Sequence, residues 1–261
     1  MRWLPLLGGV AFALWAAAAI ATTVLQERFL FPAPAVPPVT AVPGFKRVML
    51  EHDGVSVPLF WHPPGPGETT VIRFHGNGDS AGWQGPVGQA LADSGFGVLL
   101  AEYRGYPGAS GEPSEAGLLA DGEAIHAWVA ARTAGPIALY GHSLGAAVAV
   151  HVASRREVAA LVLESPFDSM LSLVGEKVRW LPVRWLLRHP FRSDRKIGDV
   201  DAPILVLHGD RDGIVPAAHG RRLAARSPSR ATFEIVPGAG HADLVAHDSL
   251  DRAIDFFRTA R

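Results

Sequence analysis

The chain has no cysteine among its 261 residues. A thiol nucleophile, a thiolate metal site and any disulfide are therefore excluded, and stability has to come from packing. Net charge is nearly absent as well: the formal value is -1 at pH 7, so no global basic field argues for a nucleic-acid partner. No segment recurs at a fixed period, which sets aside solenoids and propellers. What is plentiful is apolar side chain, 48% of the residues, enough for the core of one large α/β domain.

Charge is missing most conspicuously between Trp3 and Leu25. A run of that length predicts a helix able to cross a bilayer, and the charges at its edges orient the remainder outward. The expectation is a single-pass anchor over residues 3–25 in a bacterial inner membrane, with the folded domain on the periplasmic side. Ala19-Ile20-Ala21 has the small-x-small form of a cleavage site, so secretion after signal cleavage is the alternative. Residues 26–45, including the proline-rich stretch from Pro32 to Pro43, read as a semi-rigid linker, and residues 46–261 as the main folded domain.

Within that domain the organising stretch is Ile137 to Val150, IALYGHSLGAAVAV. Apolar residues lead into Gly141, His142, Ser143, Leu144 and Gly145 and out into an Ala/Val run, which predicts strand, sharp turn, helix. A serine on such a turn points its hydroxyl above the sheet, and glycines two positions to either side leave the backbone room. The N–H of Leu144, opening the helix, faces the place where a carbonyl oxygen would gain negative charge.

The surroundings alternate strand and helix. Lys46 to His52 and Val57 to Trp61 flank Asp53-Gly54 as a hairpin, and strands at Thr70 to His75, Gly97 to Glu102, Ala159 to Glu164, Ile204 to His208 and Thr232 to Val236 are separated by helical segments. Such alternation predicts a mostly parallel central sheet flanked by helices. Residues 165–200 interrupt it with Trp180, Trp185 and the basic Lys177, Arg179, Arg184, Arg188 and Arg192, and read as a short helical cap suited to acyl chains or a membrane surface.

A serine hydroxyl needs a base within hydrogen-bond reach and an acid to hold that base. Of 11 histidines, His241 stands in a Gly-rich loop after the last strand and can reach back over the nucleophile. His142 would have its ring turned away by the elbow, and His247 lies close to the final helix. For the acid, Asp210 and Asp212 both follow a strand end.

Together HGNGD, YRGYPGASG, GHSLG, HGDRDGIVP and GAGH resemble the α/β-hydrolase superfamily, in which the order is Ser, acid, His. The resemblance implies that fold with a short cap. It favours Asp212, which fits the G-x-x-D-x-x-V/I-P turn, over Asp210, with Asp168 a minor candidate. It also assigns the second oxyanion donor to Asn77, in the loop after the strand ending at His75. No metal or organic cofactor is implied. The N-terminal segment followed by Phe29 to Pro34 is similar to membrane-anchored relatives of serine aminopeptidases and monoacylglycerol lipases. The expected activity is hydrolysis of carboxylic esters or thioesters, on a small-molecule or lipid-like acyl substrate, through an acyl-enzyme on Ser143. An aminopeptidase and a non-catalytic scaffold for protein binding are the alternatives.

Overall fold

A computed structural model describes residues 4–260 of the chain. Eight strands form one sheet in the order β1-β2-β4-β3-β5-β6-β7-β8. They are β1 (Lys46–His52), β2 (Val55–His62), β3 (Thr70–Phe74), β4 (Gly97–Ala101), β5 (Ile137–His142), β6 (Ala160–Glu164), β7 (Ile204–Gly209) and β8 (Ala231–Val236). β1 and β2 pair antiparallel with His52 opposite Val55. The two residues between, Asp53 and Gly54, both take positive φ, as a type I′ turn demands. β2 meets β4 antiparallel and every later pair is parallel, which explains why β3 to β7 are apolar runs buried on both faces.

The helices divide between the two faces. Leu91 of α2 (Gly85–Asp93) and Ala253, Ile254 and Phe257 of α8 (Ser249–Thr259) cover one face. The other is covered by α3 (Glu115–Ala130), α4 (Leu144–Ala153) and α7 (Ala217–Ala224). Ser114 caps α3, its hydroxyl accepting from the N–H of Gly117 at 3.1 Å, which satisfies one of the first unpaired donors of the helix. Between β6 and β7 the chain leaves the sheet as the expected helical cap, with α5 (Met170–Lys177), α6 (Val183–Leu186) and two short 3₁₀ turns. Strand order reverses where β3 lies between β4 and β5, and the crevice at the carboxyl ends of strands beside such a reversal is where open α/β sheets hold ligands.

The N-terminal run departs from expectation. Trp3, where the predicted anchor begins, lies outside the described residues. α1 (Leu4–Leu30) continues past Leu25 through Gln26, Glu27 and Arg28, and among the described residues no helix is long and apolar enough to cross a membrane. From Trp15 onward it is tied to the domain. Gln26 donates to the carbonyl of Leu186 at 3.1 Å and accepts from the N–H of Arg188 at 2.8 Å, while Trp15 donates to the carbonyl of Trp180 at 3.0 Å. Leu30 and Phe31 enter the main core, and Phe31 meets the rings of His189 and Phe191 edge-on. The Pro-rich stretch does not stand off the domain either. Val39 and Val42 pack against the second core, Val39 seated on Gly82, where any side chain would collide with it, and Val42 close against Gly85.

Candidate active site

Ser143 sits between β5 and α4 at φ 51° and ψ -111°, a region that a residue with a Cβ occupies only when its surroundings hold it there. The surroundings do so through contacts that only glycine permits. A Cβ on Gly145 would overlap the main-chain oxygens of Phe74 and His75, and one on Gly141 would meet the backbone of Gly145 and Ala146. β3 and the elbow are thus locked backbone to backbone. The Ser143 N–H donates to the carbonyl of Glu164 at 2.9 Å, which ties the turn to β6.

The hydroxyl of Ser143 donates to Nε2 of His241 at 3.0 Å. Nδ1–H of His241 donates to Oδ2 of Asp212 at 2.7 Å. The three residues named from the sequence therefore form one continuous relay. Asp212 is fixed in turn, because its Oδ1 accepts from the N–H groups of Ile214 and Val215 at 2.9 and 2.8 Å. Burial opposes its ionisation, but the hydrogen bonds from His208, His241 and Val215 outweigh that and hold the carboxyl well below the usual carboxylate range. Asp212 is consequently an anion beside His241.

The competing residues go elsewhere. Asp210 accepts from the N–H of Gly238 at 2.7 Å, so it shapes the loop that carries His241. Asp168 accepts from His219 at 2.8 Å and from Arg222 at 2.7 Å, fastening the cap to α7. His247 lies against Gly238 and Asp243. The ring of His142, expected to turn away, instead donates Nε2–H to the main-chain carbonyl of His241 at 2.8 Å. The reason is that the loop of His241 folds directly over the elbow. A backbone contact of the acid turn with the same loop, Gly209 against Ala239 and Gly240, closes it from the other side.

Leu144 is the first residue of α4, where backbone N–H groups have no intrahelical acceptor. Asn77 follows Gly76, whose Cα is so near that a Cβ there would approach the Ser143 side chain at 3.5 Å. The side-chain oxygen of Asn77 accepts from the Tyr106 hydroxyl at 3.1 Å. Beneath this loop lies a network that sequence reasoning missed. His75 has its Nδ1 on the Gly76 carbonyl at 2.8 Å and its Nε2 on Glu102 at 2.7 Å, so both ring nitrogens face acceptors. Burial lowers the basicity of His75, but the hydrogen bond and charge of Glu102 outweigh it and raise the pKa. Glu102 also accepts from the Ser80 hydroxyl at 2.7 Å and the Tyr103 N–H at 3.1 Å, and Tyr103 donates to the His75 carbonyl at 2.7 Å. The available signal was positional: β3 and β4 pair with Phe74 opposite Ala101, which sets His75 beside Glu102. A second buried network, missed for the same reason, joins Glu164 to Arg73, Tyr140 and Ser249 at 2.9, 2.6 and 2.7 Å. Among the described residues no group of three or more His, Asp or Glu side chains is arranged to hold a metal ion.

Comparison with known proteins agrees with this fold. A family model described as serine aminopeptidase, S33, matches residues 65–193. An uncharacterised protein of Mycobacterium tuberculosis is 39% identical over 228 residues, covering 84% of this chain and 81% of its own. Alpha/beta hydrolase domain-containing protein 17C of Xenopus tropicalis is 35% identical over 181 residues, covering 67% of this chain and 56% of that one. Among solved structures, the Pyrococcus furiosus esterase Pf2001 superposes with a TM-score of 0.69 over 87% of this chain and 98% of its own, at 21% identity, a likeness of fold. A sheet of this order, an elbow of this geometry and relatives of this kind have one common explanation: the chain is a hydrolase and belongs to the α/β-hydrolase superfamily.

Proposed function

We propose that the protein is a serine hydrolase that cleaves carboxylic esters or thioesters through a covalent acyl-enzyme on Ser143. The observation that carries the reading is the unbroken relay from the Ser143 hydroxyl through His241 to Asp212, at 3.0 and 2.7 Å. In the first half-reaction Oγ of Ser143 bonds to the acyl carbon while its proton passes to Nε2 of His241. The imidazolium so formed is stabilised by the Asp212 carboxylate. The negative charge on the former carbonyl oxygen is met by the backbone N–H groups of Leu144 and Asn77. Collapse breaks the bond to the alcohol or thiol, which leaves with the proton from His241. Water then attacks the acyl carbon with His241 as base, releasing the acid and restoring Ser143.

The aminopeptidase alternative needs a carboxylate free to hold a substrate ammonium. Glu176, the one acid in the sequence of the segment from Met170 to Arg192, already accepts from Arg222 at 2.9 Å and faces His219 at 3.3 Å. Asp79, beside the oxyanion loop, accepts from the Ser80 N–H at 2.7 Å and the Gln84 amide at 2.6 Å. Both are engaged by donors of the protein itself, which supports the ester reading. The non-catalytic scaffold alternative leaves the strain at Ser143 without a purpose. Hydrolysis of p-nitrophenyl butyrate against alanyl p-nitroanilide tests the reading. The ester should turn over at least about a hundredfold faster in kcat/KM; faster cleavage of the anilide would reject it.

A further inference from the structure

His208 is a wholly buried polar ring in β7, a strand otherwise made of Ile, Leu, Val and Gly. A buried polar group is costly unless it is hydrogen-bonded, and the partners of His208 belong to the acid turn. Its Nε2 stands 2.8 Å from the carbonyl oxygen of Val215 and 3.3 Å from Oδ2 of Asp212. Both neighbours are acceptors, so Nε2 carries the hydrogen and shares it between them. The opposite edge of the ring lies against α7, where a Cβ on Gly220 would come within 2.5 Å of Nδ1, and Nδ1 has no hydrogen-bond partner. The tautomer is thereby fixed as Nε2–H with a bare Nδ1. Glycine is unfavourable inside a helix; at position 220 it leaves the space that this imidazole fills.

Oδ2 of Asp212 is also the oxygen that accepts Nδ1–H of His241, at 2.7 Å. Two imidazoles therefore meet on one carboxylate oxygen, while Oδ1 takes the N–H groups of Ile214 and Val215. A carboxylate has about four lone-pair directions, and with His208 an N–H group stands near each. His208 also grips Val215 by its carbonyl while the N–H of Val215 holds Asp212, so one ring steadies the turn at two points. Among the described residues, the ionisable group facing His208 is Asp212 from the acid turn. From α7 it meets Gly220, which the Phe233 ring of β8 also approaches. His241 is faced by Asp212 and, from the elbow, by His142.

We infer that His208 is a positioning residue of the relay: a neutral second imidazole that holds Asp212 in its turn and sets how strongly Asp212 retains a proton on His241. The inference rests on the acyl-enzyme reading, in which Ser143, His241 and Asp212 are catalytic. A donor on Oδ2 takes up part of the negative charge that would otherwise hold that proton. The base has to be unprotonated to accept the proton of the Ser143 hydroxyl, so His208 extends reactivity towards acid pH as well as aligning the turn.

The test follows the rate at which a small fluorophosphonate labels Ser143 in the full-length protein between about pH 5 and pH 9. Oγ of Ser143 displaces fluoride from phosphorus and its proton passes to His241. His208→Leu removes the donor; it should slow the plateau rate about tenfold and move the acidic limb of the profile up by about half a pH unit. His208→Gln returns an N–H to the place of Nε2 and should bring the limb back to that of the parent protein. A slower His208→Leu with an unmoved limb would mean that the ring merely fills space, and a limb equally displaced in His208→Gln would mean that the donor is irrelevant; either overturns the inference. Nitrogen-15 NMR of the imidazoles in the parent protein reads the tautomer without any variant. Nε2–H with a bare Nδ1 is expected at His208 near neutral pH, and Nδ1–H or an imidazolium overturns the assignment even if a variant fails to fold. Absence of phosphonate from Ser143 in the parent protein is a separate result, which overturns the serine reading and the inference with it.

Discussion

His142 donates its Nε2–H to the main-chain carbonyl of His241 at 2.8 Å, so the residue beside the proposed nucleophile holds the loop of the proposed base. With Nε2 carrying the proton, the ring is neutral and its Nδ1 is the bare nitrogen. A neutral hydrogen bond of this kind is worth about 0.5–1.5 kcal/mol, spent here on alignment. His142→Ala should therefore lower kcat for a short ester roughly three- to tenfold with little change in KM. Steady-state kinetics check this, and an unchanged kcat would remove His142 from the positioning of His241.

The same ring makes stability depend on pH. Burial lowers the His142 pKa to about 4, below the unperturbed ~6.5 of an unfolded chain. Between those values the unfolded state binds a proton that the native state refuses, so native stability falls as pH falls through that window. His126 and His151, also held below their ordinary value by burial, act in the same sense, whereas the raised His75 acts in the opposite one. Below the window the depressed Asp212 and Asp168 carboxylates lose their contribution as they protonate. His142→Gln removes one contributor. Urea midpoints from pH 7 to pH 4 should fall less steeply for the variant than for the parent protein.

The two aspartates of the acid turn should separate cleanly. Asp212→Asn keeps the size of the side chain but removes the anion that holds Nδ1–H of His241, and a loss of about a thousandfold or more in kcat is expected. Asp210→Asn disturbs only the Gly238 contact and should cost less than about tenfold. Equal losses, with circular dichroism unchanged in both, would contradict the assignment of Asp212.

Much of this arrangement was legible because it is local. The elbow is written in Gly141 to Gly145, and Asp212 and His241 each follow a strand end, so strand alternation alone delivers them to one edge of the sheet. The buried pair His75 and Glu102 was not legible, since it depends on β3 lying next to β4, a pairing between segments more than twenty residues apart. The N-terminal run was legible as apolar and helical but not in its destination. Uncharged side chains are buried equally well by lipid or by protein, and it is the contacts of Gln26 with Leu186 and Arg188, of Trp15 with Trp180 and of Phe31 with His189 that decide that α1 packs on the cap.

That docking gives a further expectation. Gln26→Ala would leave the Leu186 carbonyl and the Arg188 N–H without their partner, at about 1–3 kcal/mol. Urea denaturation should register the loss. Trypsin cleavage after the exposed Arg28 should accelerate under native conditions, and equal cleavage rates would mean that the contact does not hold α1.

Glycine substitutions test the packing of the elbow. Gly145→Ala forces a Cβ into the main-chain oxygens of Phe74 and His75, an overlap with backbone that cannot yield, and should abolish soluble folded protein or lower Tm severely. Gly175→Ala in α5 meets nothing within 4 Å and should stabilise by about 0.5–1 kcal/mol through helix propensity. Calorimetry on both variants distinguishes the two environments.

The central claim is that Ser143 is a nucleophile activated by His241. Treating the protein with a small fluorophosphonate and mapping the adduct by peptide mass spectrometry tests it directly. The account predicts one phosphonate on the Ser143 peptide, none on Ser143→Ala, and labelling slowed by orders of magnitude in His241→Ala. Unlabelled Ser143 in folded protein, or labelling at an equal rate without His241, would contradict it.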